Sequence, residues 1–202
     1  LRHLPNMVVM APKDENEFQH MIKTAVGWGG PIAFRYPRGV GYGVKMDPEP
    51  KPLEVGKAEV LLEGDDVLIL AIGSTVYPSL EAAKRLLRDG IGASVINCRF
   101  VKPLDGELIC TMAEKLGRVL TVEENVLEGG FGSRVLELFG ERDLSWVKVR
   151  RIGIPDQFVE HGPQETLRAI YGINTEGIEK EARKLVVGTS GAVRFGKGAS
   201  LR

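Results

Sequence analysis

The first part of the chain has two short apolar runs, and between them lies a segment whose apolar residues have helical spacing. Residues 7–12 are apolar enough for a short buried strand, and residues 32–36 form a second run that stops at a proline. Between them, Asp14 is expected to cap a helix, with Glu17 completing a capping box three residues later. The apolar positions of this helix fall on one face and comprise Phe18, Met21, Ile22 and Ala25. The pattern predicts a β-α-β unit of roughly 40 residues, too small for a core of its own, so we expect upstream structure to cover it.

A proline-rich stretch, residues 47–55, separates this unit from the rest of the chain. Prolines stand at every second position from 48 to 52, an arrangement that disfavours helix and sheet and favours an extended, fairly stiff connector. The sequence therefore predicts a domain boundary here, with residues 1–46 before it and residues 56–187 after it.

Residues 56–187 repeat a pattern of strand followed by helix. Strands are predicted at 58–62, 67–72, 93–97, 118–122 and 147–154. Helices are predicted after Ser74 or Thr75, after Asp105, after the glycines at 129–132, from Pro163 and from Thr175. The first of these helices should turn one apolar face inward, comprising Val76, Leu80, Ala83 and Leu87. This alternation indicates a three-layer α/β/α fold with a mostly parallel sheet, and residues 188–202 are expected to form a loose tail.

Composition narrows the function classes without changing the predicted fold. The 202 residues are 43% hydrophobic, and 27 basic side chains balance 27 acidic ones, so no net charge favours nucleic acid or an anionic membrane. No apolar run approaches the roughly 20 residues that span a bilayer. Cys98 and Cys110 are too few for a disulfide framework or a zinc site and are expected to be reduced in a cytoplasmic protein. Because the chain starts at Leu1 and not at methionine, we expect a fragment of a larger α/β enzyme.

The most informative short motif is Arg-Tyr-Pro-Arg-Gly at residues 35–39. It follows a predicted strand, and open α/β sheets bind ligands at the carboxyl ends of their strands. Arg35 and Arg38 flank a rigid Tyr-Pro pair, and a guanidinium is a natural partner for a phosphate or carboxylate. The alternative is that these are surface arginines in ion pairs, and the motif alone leaves both interpretations open.

Three other motifs could carry chemistry, and a structural role is favoured for each. Glu123 and Glu124 follow a strand and could bind a cation or serve acid–base chemistry, but no second acidic cluster accompanies them. The glycines at 129–132 could present backbone N–H groups to an anion, although a tight turn against the sheet is favoured. His161 could act as a general base, but no nucleophile in a suitable motif accompanies it. Taken alone, the residues identify no reaction.

Five short motifs, taken in their order along the chain, resemble those of a known family. They are Met-Ala-Pro-Lys-Asp-Glu-Asn-Glu at 10–17, Arg-Tyr-Pro-Arg-Gly at 35–39, Arg-Phe-Val-Lys-Pro-Leu-Asp at 99–105, Thr-Val-Glu-Glu-Asn with Gly-Gly-Phe-Gly at 121–132, and Gly-Ile-Pro-Asp with His-Gly at 153–162. Together they closely resemble the C-terminal part of the 1-deoxy-D-xylulose-5-phosphate synthase family, which belongs to the transketolase-like thiamine diphosphate enzymes. The resemblance covers residues 1 to about 187, and the tail adds nothing to it.

The resemblance implies a reaction, two cofactors and one site residue. The family condenses pyruvate with glyceraldehyde 3-phosphate and releases CO2, on the route to isoprenoids, thiamine and pyridoxal, and it uses thiamine diphosphate held by Mg2+. By resemblance, residues 1–46 end the pyrimidine-binding domain and residues 56–187 form the transketolase-like C-terminal domain. Arg38 matches the arginine that holds the aldehyde's phosphate, with Arg35 as a supporting residue. The motif that binds Mg2+ and diphosphate is absent, as are the acid–base residues, so no catalytic residue is expected in this fragment. A cytoplasmic homodimer is implied for the parent enzyme.

Two alternatives remain open at the level of sequence. The first is a sibling enzyme, transketolase or the β subunit of a 2-oxo acid dehydrogenase, since both share the C-terminal fold. The second is a non-catalytic structural or dimerisation module, which would describe the fragment taken alone. Under either interpretation, this chain by itself is expected to be inactive and to bind no cofactor.

Overall fold

The computed structural model describes residues 1–188, so all but the first residue of the predicted tail lies outside the described residues. The strands are β1 (Val8–Met10), β2 (Ile32–Phe34), β3 (Glu59–Leu62), β4 (Val67–Ala71), β5 (Ala93–Asn97), β6 (Phe100–Lys102), β7 (Arg118–Val126) and β8 (Lys148–Ile154). The helices are α1 (Glu15–Gly27), α2 (Val76–Arg88), α3 (Gly106–Leu116), α4 (Phe131–Glu141), α5 (Gln164–Ile170) and α6 (Thr175–Val187), with a short 3₁₀ turn at Gly73–Thr75.

The larger sheet has the strand order β3-β5-β4-β7-β8 and is parallel except for the edge strand β3. Helices α3 and α4 cover one face, and α2 and α6 cover the other. Alternate residues of β4 contribute to the two cores: Leu68 and Leu70 face α3 and α4, whereas Val67 and Ile69 face α2 and α6. A strand buried on both faces needs apolar residues throughout, which explains its continuous apolar run. The predicted three-layer α/β/α fold is confirmed.

The smaller sheet joins the two sides of the proline-rich stretch. Strands β1 and β2 are parallel and form the predicted β-α-β unit with α1. Strand β6, which the sequence pattern did not indicate, pairs antiparallel with the other edge of β1. Phe100 of β6 is fully buried against Met10 and Met21. A strand from beyond the linker therefore completes the core of the small unit.

The linker lies along α1. Residues 47–55 contain no helix or strand, as predicted. The backbone N–H of Lys51 donates to Nδ1 of His20 at 2.9 Å, and the N–H of Leu53 donates to Oγ1 of Thr24 at 2.7 Å. Nε2 of His20 is 3.0 Å from an Asp47 carboxylate oxygen. Side chains of the helix thus satisfy linker donors that have no strand partner.

Several local predictions differ from the structure. Asp14 caps α1 by accepting from the N–H of Glu17, but the Glu17 carboxylate accepts from the N–H of Lys13 and not of Asp14, so the predicted capping box is half formed. In α2, Leu87 is 62% exposed and Leu86 is fully buried, so the inward face is rotated by one residue.

The predicted helix starts at Ser74 or Thr75 and at Pro163 are also displaced. The chain first makes the 3₁₀ turn, and neither hydroxyl caps α2, because Ser74 donates to Glu124 and Thr75 bonds to Ile72 and Val122. Pro163 precedes the first turn of α5 as its cap residue.

Candidate functional site

The loop that follows β2, residues 35–44, carries both predicted site arginines. The backbone N–H of Arg35 donates to the carbonyl of Met10 at 2.9 Å, and the side chains of Arg35 and Arg38 are exposed. Within residues 1–188, the guanidinium of Arg38 makes no hydrogen bond or ion pair. Arg38 therefore lies four residues beyond the end of β2, with its side chain exposed.

Glu15 holds the far end of this loop. Its carboxylate accepts hydrogen bonds from the backbone N–H groups of Tyr42, at 3.1 Å, Gly43, at 2.5 Å, and Val44, at 3.2 Å. Gly43 has φ near 73°, a conformation that glycine adopts without strain. The hydrogen bond from the N–H of Glu15 itself is the main effect that lowers the pKa of the Glu15 carboxyl. Burial opposes this shift, and the N–H groups of Gly43, Tyr42 and Val44 lower the pKa further. A charged carboxylate thus organises three successive loop amides.

Aromatic rings hold the loop on both sides of Arg38. On the near side, the ring of Tyr36 lies 4.5 Å from that of Phe18, which also packs edge-on against Phe34. On the far side, Tyr42 lies 4.4 Å from the ring of Tyr77. The loop is therefore held at Tyr36 and at Tyr42, and Arg38 lies exposed between these two contacts.

Two clefts open beside the loop. One, of about 210 Å3, is lined by residues of the loop, of α1 and of the 3₁₀ turn, including Asp14, Tyr36, Gly39, Tyr42 and Ser74. The other, of about 250 Å3, is lined by Arg35 and by Glu123, Glu124 and Asn125, among others. Both lie at the carboxyl ends of parallel strands, where α/β folds bind ligands.

Glu124 is the centre of a polar network in this region. Its carboxylate accepts from Nη2 of Arg168 at 2.7 Å, from Nε2 of Gln164 at 3.3 Å and from the hydroxyl of Ser74. Burial alone would raise the pKa of Glu124, but the hydrogen bonds from Arg168 and Ser74, with the charges of Arg168 and Arg35, hold that pKa below its ordinary value. Glu124 is therefore a charged anchor for α5. Sequence reasoning missed this network, although Gln164 and Arg168 stand four positions apart on one predicted helix.

The neighbouring Glu123 has a structural role, as the sequence favoured. Its two carboxylate oxygens accept from the N–H groups of Phe131, at 2.7 Å, and Gly132, at 2.8 Å, at the start of α4. Burial raises the pKa of Glu123, and these two N–H groups only partly offset that effect. A Cβ at Gly130 would collide with this carboxylate and with the carbonyl of Val126. The prediction of a tight glycine turn against the sheet is confirmed, because the carboxylate of Glu123 already occupies the helix N-terminus.

The other candidate groups are not gathered into a site. His161 is exposed and lies outside this network. Within residues 1–188, no group of three or more His, Cys, Asp or Glu side chains could hold a metal ion. No helix in the described part of the chain is long and apolar enough to cross a membrane.

Sequence comparison identifies both parts of the chain. Residues 56–178 match the model of the transketolase C-terminal domain family, and residues 1–42 match that of the transketolase pyrimidine-binding domain. The chain belongs to the transketolase C-terminal domain family. The first match covers more than half of the chain and includes the whole of the larger sheet.

The curated relatives confirm the predicted resemblance. The chain is 58% identical over 178 residues to 1-deoxy-D-xylulose-5-phosphate synthase 1 of Geobacter sulfurreducens, which covers 88% of the chain and 28% of the relative. It is 52% identical over 186 residues to the 1-deoxy-D-xylulose-5-phosphate synthase of Halothermothrix orenii, which covers 92% of the chain and 29% of the relative. The chain therefore spans less than a third of the length of these relatives.

Solved structures of transketolases share the fold. A split-gene transketolase, described as an inactive beta4 tetramer, superposes with a TM-score of 0.78 at 33% identity and covers 92% of this chain and 60% of that one. A transketolase mutant from Pichia stipitis superposes with a TM-score of 0.60 at 19% identity, covering 94% of this chain and 26% of that one, which shows the fold alone.

Proposed function

We propose that this chain forms the C-terminal part of a 1-deoxy-D-xylulose-5-phosphate synthase, a transferase that condenses pyruvate with glyceraldehyde 3-phosphate and releases CO2. The names of relatives that are 52–58% identical over about nine-tenths of the chain support this proposal. On the same basis, residues 1–46 are the end of a pyrimidine-binding domain, residues 47–55 are the linker and residues 56–187 are the C-terminal domain. The parent enzyme is proposed to be a cytoplasmic homodimer.

In this proposal, Arg38 binds the phosphate of glyceraldehyde 3-phosphate. The supporting observation is its exposed guanidinium, which is without a partner in residues 1–188 and sits on a loop fixed by Glu15 and by aromatic contacts on both sides. A guanidinium presents paired N–H donors that match phosphate oxygens. Arg35 supports it by adding positive charge on the same loop.

The cofactors are proposed to bind elsewhere in the parent protein. Thiamine diphosphate would supply the carbanion chemistry and Mg2+ would hold its diphosphate. The described residues do not fit Mg2+, since no suitable cluster of ligands is found among them. We therefore propose that this chain alone is inactive. The name of the similar split-gene transketolase, an inactive beta4 tetramer, is in line with this. Calorimetric titration of the chain with thiamine diphosphate and Mg2+ is expected to show no tight binding, and tight binding would overturn this part of the proposal.

The decisive test of Arg38 is Arg38→Ala in the full-length synthase. A charge-assisted hydrogen bond contributes about 1.5–3 kcal/mol, which corresponds to roughly 10- to 150-fold in affinity. The KM for glyceraldehyde 3-phosphate is expected to rise by that factor, with little change in the KM for pyruvate. Arg88→Ala removes an exposed arginine at the end of α2 and is the matched control. If both KM values stayed at wild type in Arg38→Ala, the assignment would be wrong.

The second candidate function is that of a transketolase subunit. It is favoured by the 33% identity to the split-gene transketolase over 92% of the chain. Assay of the parent protein with pyruvate plus glyceraldehyde 3-phosphate separates the two, because a transketolase takes its two-carbon unit from a ketose and needs no decarboxylation. Release of CO2 with formation of the five-carbon phosphate supports the synthase. A parent protein that acts only on ketose donors supports the alternative.

A further inference from the structure

The Glu124 carboxylate joins three segments that are distant in sequence. It stands at the carboxyl end of β7, and its hydrogen bonds reach Ser74 in the 3₁₀ turn and Gln164 and Arg168 on α5. Its side chain is only 13% exposed and that of Arg168 only 21%, so water screens this ion pair incompletely. Loss of the carboxylate would leave a poorly solvated guanidinium without its partner.

The same segments support the loop that carries Arg38. Gly39, the residue after Arg38, lies beside Gln164, since a Cβ added to it would stand 3.6 Å from Oε1 of that side chain. The hydroxyl of Tyr42, near the far end of the loop, donates to the carbonyl of Ser74 at 3.4 Å. Gln164 and Ser74 are two of the three residues that donate hydrogen bonds to Glu124. The end of the loop is therefore bonded to Ser74, and its middle lies beside Gln164, both of which donate hydrogen bonds to Glu124.

The electrostatic pattern is consistent with this arrangement. Burial, the largest effect, raises the pKa of the Tyr42 hydroxyl; the charge of Arg168 opposes this shift, and the charges of Glu124 and other carboxylates add to it. The hydroxyl therefore stays protonated and keeps its donor role toward Ser74.

We propose that Glu124 is a positioning residue for the substrate phosphate: it fixes Ser74 and α5, and through them it holds the loop of residues 35–44 in the conformation that presents Arg38. The inference rests on the proposed function. It assigns to the C-terminal domain a specific contribution to a site whose ligand-binding arginine lies on the other side of the linker.

The first test is Glu124→Gln in the full-length synthase. The amide keeps the size of the side chain but not its charge, so the pair with Arg168 is lost. The KM for glyceraldehyde 3-phosphate is expected to rise roughly two- to tenfold, which is the loss of affinity that results when one flexible side chain must be ordered on binding. The value of kcat at saturating aldehyde and the KM for pyruvate should stay within about twofold. Glu128→Gln, at an exposed carboxylate in the next turn, is the matched control and should change none of these values.

A double variant distinguishes positioning from a general loss of structure. In an Arg38→Ala background, Glu124→Gln should have no further effect on the KM for the aldehyde, because the loop no longer carries the group that is being positioned. Equal effects in both backgrounds would overturn the proposal, as would an unchanged KM in the single variant.

Hydrogen exchange of the full-length protein gives a readout that does not depend on the reaction. The amides of residues 42–44 should exchange faster in Glu124→Gln than in wild type or Glu128→Gln, while those of β4 stay protected. Unchanged exchange in the loop would overturn the inference whatever the kinetics. If the wild-type protein does not turn over the aldehyde at all, the proposed function fails, and the exchange data still decide whether Glu124 holds the loop.

Discussion

The Glu17 carboxylate accepts a hydrogen bond from Nε of Arg99 at 2.7 Å, although the two residues lie 82 positions apart. Glu17 is on α1, before the linker, and Arg99 directly precedes β6, after it. The same Glu17 oxygen accepts from Asn97 at 2.8 Å and from Lys13 at 3.2 Å. Because the Glu17 side chain is 2% exposed, this network is a buried ionic connection between the two parts of the chain.

The first prediction concerns this connection. Glu17→Gln should lower the free energy of unfolding by about 3 kcal/mol, because Arg99 and Lys13 would lose the more deeply buried of their two carboxylate partners, Glu17 and Glu59. Urea denaturation of this chain measures the change. Glu176→Gln, which removes an exposed partner of Arg85, is the control and should have no measurable effect. A loss for Glu17→Gln no larger than for the control would contradict a buried role.

The contrast between what the sequence predicted and what it missed follows from the range of the interactions. Apolar periodicity and capping patterns are local signals, so they identified α1, the fully buried β4 and the cap at Asp14. They also put the arginine motif correctly at the carboxyl end of a strand. The Glu17–Arg99 pair and the contacts of Glu124 with α5 depend on how distant segments pack, and no local pattern encodes them. Strand β6 was missed because its only adjacent apolar residues are Phe100 and Val101, between Arg99 and Lys102, whereas β1 and β2 lie in longer apolar runs.

The second prediction concerns pH. Burial alone would raise the pKa of Glu59, but the hydrogen bond from Lys13 and the charge of Arg99 hold it below its ordinary value of 4.5. At pH values between the lowered pKa of the folded state and 4.5, the unfolded chain binds more protons at Glu59 than the folded chain does. The stability that ionised Glu59 contributes is therefore fully present above pH 4.5 and is lost as the pH falls through the folded-state pKa. Glu59→Gln should therefore make the acid loss of stability shallower. Urea denaturation at a series of acidic pH values measures this slope, and a slope equal to that of wild type would contradict it.

The third prediction uses two buried threonines. The hydroxyl of Thr121 has no hydrogen-bond partner among the described residues, whereas that of Thr75 bonds to the carbonyls of Ile72 and Val122, each at 2.9 Å. Thr121→Val removes an unsatisfied polar group at nearly constant shape and should raise the free energy of unfolding by about 1 kcal/mol. Thr75→Val should lower it by about 2 kcal/mol, because the two carbonyls lose the one hydroxyl proton that they share and the N–H of Ile72 loses its acceptor. Thermal and urea unfolding test the pair, and effects of equal sign would show that hydrogen bonding does not govern these sites.

The fourth prediction concerns the turn that starts α4. Gly130 has φ of −78°, so its backbone would accept any residue, but a Cβ there would collide with the carboxylate of Glu123 and the carbonyl of Val126. Gly130→Ala should therefore cost about 2 kcal/mol of stability through overpacking. The matched control is Gly140→Ala in the same helix, where a Cβ meets nothing within 4 Å. This exposed substitution should raise stability by about 0.5 kcal/mol through helix propensity. Urea denaturation of both variants measures the difference, and a neutral Gly130→Ala would mean that the Glu123 carboxylate can move away from the helix N-terminus without loss.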